Sequence, residues 1–550
     1  MARSLSERLL PRPDLSTAVV VASVAAFVAV AALHVRVPGL YYDEVFQDTT
    51  ALAFVKGGLG SQVAWVPGTQ VTLLGHPLPL MAHSYIGAVK TISFVPVAAL
   101  FGITPGSVRF FTIAVSALAL LATAAFARQL FPRPLVAAIA TALLATDPSY
   151  VFFSRIDFGP SVFMFLLKAV GLWQLALWWR TRRTGFLLVG SFAFGLGVYD
   201  KLNFFWIVAA VVASALLLAP QGVRDRLDRR RLALAAGAFL LGCLPVVGYN
   251  LSWPPRSIEP ALKGTLHIAG GNPSGGPWTQ LVQRFRQLVS LLDGRTIGDL
   301  IAGIGSPPPL LPVLAAVAAA GILALSLVPD LRRRLRPALF VVLCGLLVLV
   351  ASALTPGGSY AHHVLLAYPF PHLAVAGFAV ELGTLARERL RSAGAWVVGG
   401  AAAAVVGAAI AVGLATSADV LSRLDETGGR GNFSDAIYGL DDYLVRTAPA
   451  ERFVALDWGI FQPLVGLSDG RLRGKELWLQ LNGHGKAAKY REDVTEPATP
   501  YLLHVPRETN FPRARERFFR IVRASGRQAR LVRVISSRQG RPMFEVYRVS

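Results

Sequence analysis

An aspartate and a glutamate stand side by side in the run Tyr41-Tyr42-Asp43-Glu44-Val45-Phe46-Gln47-Asp48. Such a pair can divide its labour: one carboxylate accepts a proton from a hydroxyl, while the other holds a lysine, an arginine or a metal. Beside a bilayer a carboxylate is partly desolvated, which raises its basicity. An exposed acidic loop is the plainer reading of the pair alone, but other segments favour chemistry. Arg155-Ile156-Asp157 sets a guanidinium and a carboxylate two residues apart, on one side of an extended turn. Arg155 suits a phosphate there, and Asp157 suits orienting a base or joining Asp43 around a divalent cation; an ion pair closing a helical hairpin is the rival reading. Lys201, in Tyr199-Asp200-Lys201-Leu202-Asn203, suits a phosphate, or a turn with an internal salt bridge. His362-His363 suit sugar hydroxyls or a diphosphate; adjacent histidines do not easily share one metal, and no His/Cys spacing resembles a zinc site. Tyr42, His76, His83 and Lys90 are candidates to line a substrate groove. No glycine-rich phosphate loop followed by lysine is present, so an enzyme built from these residues is expected to use an already activated substrate.

The elements that position these groups are apolar. Of 550 residues, 54% are hydrophobic and 16% charged, well below the ~25% of soluble domains, which makes this a polytopic membrane protein. The net charge of +22 does not point to nucleic acid, because the arginines cluster between apolar spans. Cys243 and Cys344 fall inside spans, and no disulfide is expected. The first span follows Arg3, Arg8 and Arg12, which sets the N-terminus in the cytoplasm and the acidic pair outside. Residues 36–107 form the first external loop. Its apolar stretch from Leu78 to Phe101 is expected as helices in the outer interface, since a further span would move every later arginine cluster outside. About eleven spans result, with a second external loop at 251–306. Lys168, inside a span, is expected to pair with a carboxylate.

The composition turns polar after Ala415. Residues 1–416 are read as a helical membrane domain and 417–550 as an extracytoplasmic α/β domain, with strands near 453–457, 501–505, 530–535 and 543–547. No span-scale repeat argues for a transporter or lipid flippase, the alternative in a different class.

Taken in order, Tyr41-Tyr42-Asp43-Glu44, the Lys90 region, Arg155-Ile156-Asp157-Phe158-Gly159, Tyr199-Asp200-Lys201 and Ala361-His362-His363 resemble motifs of the GT-C superfamily of integral-membrane glycosyltransferases. Within it, the likeness is to the protein O-mannosyltransferase and aminoarabinose transferase group, and it covers about Leu40 to Leu382. The resemblance implies transfer of a sugar from a polyprenyl-phosphate donor, with inversion, to a lipid, glycan or protein acceptor at the outer face of the cytoplasmic membrane. It implies Asp43 as general base, Glu44 as its neighbour and Asp157 as second acid. Arg155, Lys201, His362 and His363 are assigned to the donor phosphate. No cofactor is implied; a divalent cation at Asp43 and Asp157 stays open. The loop 251–306 is too short for the β-trefoil insert of eukaryotic protein mannosyltransferases.

Overall fold

The computed structural model describes residues 14–59, 66, 68–251, 256–257, 259, 276–355, 360–447, 452–483, 487–497 and 499–550. The stretches expected to span are mostly helical, but those near 135–153, 232–249 and 364–380 are each broken between two helices. Five helices are long and apolar enough to cross a bilayer: α1 (Leu15–Ala32), α4 (Pro105–Leu130), α7 (Ser161–Thr181), Pro329–Leu354 and Ser392–Thr427. Four bent pairs raise the number to nine if each is one span, and Val89–Phe101, Thr184–Asp200 and Leu310–Leu325 are shorter apolar helices.

The bends have local causes. α5 (Pro134–Ala145) and α6 (Pro148–Arg155) meet at 64°, where Pro148 has no N–H for the ladder and Asp147 caps α6 by accepting from the Tyr150 N–H at 3.0 Å. The Asp147 carboxylate also meets His372 Nε2 at 2.9 Å, tying this break to Phe370–Arg389 across the bundle. Between α8 (Thr184–Asp200) and Arg229–Gly242 the backbones touch: a Cβ at Gly195 would run into the Phe239 carbonyl. Lys168, fully buried on α7, has no carboxylate partner among the described residues; it donates to the Leu366 carbonyl at 2.9 Å and lies over the Phe165 ring.

The first external segment departs from its expected form. α2 (Tyr42–Lys56) is a nearly wholly buried helix bearing the acidic pair in its first turn. A hairpin of β1 (Gln70–Leu73) and β2 (His76–Pro79) leads into the stretch expected as helices from Leu78 to Phe101, whose first part is a second hairpin, β3 (Met81–His83) with β4 (Ile86–Gly87), and whose remainder is the helix α3 (Val89–Phe101). The tight turn of the first hairpin is Leu74-Gly75, both at positive φ, the conformation two-residue hairpin loops favour. The 251–306 segment carries an amphipathic helix at Pro277–Leu292 and short helical turns to Ala302.

The last part of the chain builds a five-stranded sheet in the order β6-β5-β7-β9-β8, from β5 (Arg452–Ala455), β6 (Arg473–Glu476), β7 (Tyr501–His504), β8 (Ala529–Ser536) and β9 (Pro542–Val549). β5 runs parallel to β6 and β7, and β9 is antiparallel to β7 and β8. Alternation along the strands feeds two cores. Phe453, Ala455 and Phe544 pack with Ala436–Thr447 and Phe461–Leu467, while Val454, Tyr501 and Tyr547 pack with Pro512–Ala524. This sheet unit sits on α2. Thr49 Oγ1 bonds Gln462, Lys56 pairs with Asp469, and the Gly39 N–H donates to the Phe433 carbonyl at 2.8 Å. Gly39 is obligatory in that approach, because a Cβ would strike the Ser434 carbonyl.

Candidate active site

The structure separates the two members of the acidic pair. Glu44 is fully buried and held by Arg109 of α4 in a two-point fork, Nε to Oε1 at 2.7 Å and Nη2 to Oε2 at 3.0 Å. Nη1 donates to the carbonyls of Val35 and Pro38 at 2.8 Å each, and Nη2 also to Gly39 at 3.3 Å, so all five donors of the guanidinium are spent. Glu44 closes the circuit by accepting from the Tyr41 N–H at 3.3 Å. It therefore fixes the entry to α2 and orients the residue before it.

Asp43 is half-buried and makes no ion pair among the described residues; it accepts from the Tyr41 hydroxyl at 3.2 Å. Its carboxyl is pushed up to about 6, chiefly by burial, with the Tyr41 bond and Lys201 opposing and Asp157 adding to the rise. One turn further on, Asp48 meets Lys90 Nζ at 3.3 Å, and the same nitrogen meets Asp157 at 3.2 Å and donates to the Glu44 carbonyl at 2.6 Å. Burial carries the Asp48 carboxyl to about 7, against the pull of Lys90. Asp157 is held in place by the Val162 N–H, donating to its other oxygen at 3.2 Å. Lys201 follows α8, is stitched to β4 by a bridge to Ile86, and donates to the Gly159 carbonyl at 2.9 Å. Its ammonium is brought down to about 8, burial outweighing Asp43, Asp200 and Asp157 around it. Asp200 is fully buried, and both its oxygens lack a hydrogen-bond donor among the described residues.

Three segments distant in sequence thus meet at Asp43, Lys90, Asp157 and Lys201. The rim is half-exposed: Tyr42, His83, Tyr85, His362, His363 and Trp458. His83 packs between Phe46 and Tyr85, and burial near Lys201 lowers it to about 4, so it is neutral at pH 7. His362 stacks on Tyr360 and approaches Phe158, with His363 beside it at 4.3 Å between ring centroids. His76 is elsewhere: its Nδ1 contacts the Phe54 carbonyl at 2.6 Å at the far end of α2.

Arg155 and Asp157 do not face one side. Arg155 ends α6, is fully buried, and donates to the carbonyls of Leu33, His34 and Val37. An extended turn would have aligned the two residues, but a helix terminus turns the arginine toward α1. Sequence reasoning missed Arg109, which lies at the start of an apolar run, and Arg284, which lies in a long loop. Arg284 is 1% exposed and, among the described residues, meets the amide oxygens of Gln280 and Gln287, at 3.1 and 3.4 Å. Its helix packs against the turn of His362-His363. A buried guanidinium with no carboxylate among the described residues is a ready counter-charge for an anion. Its signal in the sequence is an arginine on the polar stripe of an amphipathic 277–292 pattern.

Among the described residues no three His, Cys, Asp or Glu side chains are grouped to hold a metal ion. Of the two acids named for a cation, Asp157 has one oxygen against the Lys90 ammonium, which also meets Asp48, while Asp43 makes no ion pair among the described residues.

Residues 95–249 match the model of a family described as dolichyl-phosphate-mannose-protein mannosyltransferase. The crystal structure of ArnT from Cupriavidus metallidurans bound to undecaprenyl phosphate aligns with a TM-score of 0.57 at 14% identity, covering 96% of this chain and 98% of that one. The Archaeoglobus fulgidus oligosaccharyltransferase in its apo form aligns at 0.56 and 12%, over 90% of this chain and 70% of that one. AglB from the same organism, in complex with an inhibitory peptide and a dolichol-phosphate, aligns at 0.53 and 12%, over 91% and 70%. No curated protein matches the chain. At these identities the likeness to these structures is one of fold.

Proposed function

We propose that this chain is a glycosyltransferase that moves a sugar from a polyprenyl phosphate to an acceptor hydroxyl, with Asp43 as the base. The partial family match and the lipid phosphates bound by its structural neighbours support the donor class. The observation that carries the reading is the division of the acids. Glu44 is committed to Arg109, and Asp48 and Asp157 share Lys90, while half-buried Asp43 has no cationic partner within ion-pair distance among the described residues.

In this reading Asp43 takes the acceptor proton as its oxygen forms a bond to the anomeric carbon. The bond from that carbon to the phosphate oxygen breaks, and its electron pair leaves on the lipid phosphate. Lys201 and Arg284 stabilise that charge, with His362 and His363 at the rim. Arg155 has a positioning role, since its donors serve the chain leaving α1. Lys90 holds Asp157 and Asp48 so that α2 and the 155–159 turn stay in register. Attack opposite the leaving phosphate inverts the anomeric centre. About eleven spans with the sheet unit outside the cytoplasmic membrane are part of the same reading; charges gathered at one end of the bundle do not favour a transporter.

Purified protein incubated with radiolabelled polyprenyl-phosphate sugars should consume one of them and release the lipid phosphate; consumption of none would defeat the assignment. The kcat/KM should be bell-shaped in pH. It rises as Asp43 ionises near 6 and falls as Lys201 loses its proton near 8. A flat profile between about pH 5 and 7 would remove Asp43 as base. Arg284→Gln should weaken undecaprenyl phosphate binding about tenfold or more, the worth of a charge-assisted hydrogen bond. Arg155→Ala should instead lower the unfolding midpoint, because buried carbonyls lose their donors at ~1–3 kcal/mol each, with lipid phosphate affinity unchanged.

A further inference from the structure

The sheet unit meets α2 with a particular edge. β5, β6 and β7 are parallel, and residues at their carboxyl ends gather there: Asp457-Trp458 after β5, Glu476 closing β6 and His504 closing β7. In open sheets the crevice outside the carboxyl ends of parallel strands is where ligands bind. Asp457 and His504, both buried, meet at 3.2 Å and brace two of these ends, and the Asp457 carboxylate accepts from the Trp458 N–H at 2.9 Å. That bracing presents Trp458 toward the reacting end of α2. Its ring lies 5.2 Å from Tyr41 and 5.6 Å from Tyr42, centroid to centroid. Glu476 accepts from the Tyr42 hydroxyl at 3.4 Å, and the Trp478 side chain also lies within hydrogen-bonding reach of its carboxylate. No cationic side chain pairs with Glu476 among the described residues.

We propose that Trp458, Glu476 and the Tyr42 hydroxyl form the acceptor subsite, and that it takes a hydroxyl-rich ring, the chemistry of a sugar. This rests on the glycosyl-transfer reading above and names the acceptor class for that site. Trp458 packs on both Tyr41, whose hydroxyl bonds Asp43, and Tyr42, whose hydroxyl bonds Glu476, so a ring lying on Trp458 sits between the base and Glu476. A half-exposed indole offers the C–H face of a ring an apolar platform. The carboxylate supplies the acceptor that adjacent hydroxyls need. Burial pushes the Glu476 carboxyl up to about 7, so at neutral pH it both accepts and donates hydrogen bonds, which suits hydroxyls better than a fixed cation.

The test is binding, with the full chain in detergent. Methyl α-D-mannopyranoside and methyl α-D-glucopyranoside serve as probes, lysine methyl ester as the cationic rival, and saturation-transfer NMR as the readout. Transfer to ring protons of a glycoside is expected, with affinity about tenfold or more lower in Glu476→Gln and in Trp458→Phe. Undecaprenyl phosphate binding, followed by thermal shift, should be unchanged in both, which also shows that they fold. Binding of neither glycoside, equal affinity in wild type and both variants, or displacement of the glycoside by the lysine ester would overturn the subsite. Glycoside binding that responds to the variants in a protein that ignores undecaprenyl phosphate would support the subsite while counting against the donor reading.

Discussion

Replacing Asp43 by asparagine should abolish sugar transfer while leaving the folded protein and its lipid-phosphate binding intact. General base catalysis contributes roughly 10²–10⁴-fold, so a loss of this size in kcat is expected. The substitution keeps the shape of the side chain, and its amide can still meet the Tyr41 hydroxyl, so the unfolding midpoint should barely move. The measurement is single-turnover transfer from the consumed donor, beside a thermal-shift titration with undecaprenyl phosphate. Glu44→Gln is the informative contrast. It weakens the Arg109 fork and should cost stability as well as rate, because its effect on chemistry passes through the entry to α2. If Asp43→Asn retained full activity, the base would have to be sought among Asp157 and Asp200, both of which are fully buried.

The second large effect should come from Arg109→Leu. Arg109 and Glu44 are both fully buried, and removing one partner of such a pair costs ~3–5 kcal/mol, because an uncompensated charge remains. Three backbone carbonyls lose their donor at the same stroke. Those carbonyls belong to the segment joining α1 to α2, so the variant should express poorly and unfold at a markedly lower temperature. The double variant Arg109→Leu with Glu44→Met should recover much of that loss, since an apolar replacement of a buried ion pair is often neutral or better. An unfolding midpoint equal to wild type in Arg109→Leu would show that the fork carries no stability.

The apolar helices were legible because hydropathy and arginine clusters report the bilayer directly, whereas the breaks within the stretches near 135–153, 232–249 and 364–380 were not. The hairpins at Gln70–Pro79 and Met81–Gly87 were not: they hold prolines, glycines and apolar residues in short runs whose period is too brief to separate strand from helix. The clustering of Asp43, Lys90, Asp157 and Lys201 followed from assigning their loops to one side. What no spacing could supply was the allocation of partners. Glu44 and Asp43 are adjacent and chemically alike, yet Arg109 selects one of them through packing between α2 and α4. Arg155 looked like a phosphate ligand because its type and position suit one, but the carbonyls it serves lie more than a hundred residues earlier in the chain. Lys168 was expected to find a carboxylate and instead donates to a backbone carbonyl, a choice dictated by how Leu366 is presented to α7.

The helix Ser392–Thr427 has 36 residues, and its last stretch from Thr416 onward is polar. At 1.5 Å per residue, those final turns stand about 18 Å tall beyond the apolar part. If the apolar part occupies the lipid, this stem holds the sheet unit at or above headgroup height. The sheet unit beside Asp43 then stands in water while the helices below it stand in hydrocarbon, so in the glycosyl-transfer reading the two reactants need not share a phase. A carrier can slide in sideways from the leaflet as a soluble molecule drops in from above, and neither has to leave its own solvent before the bond is made.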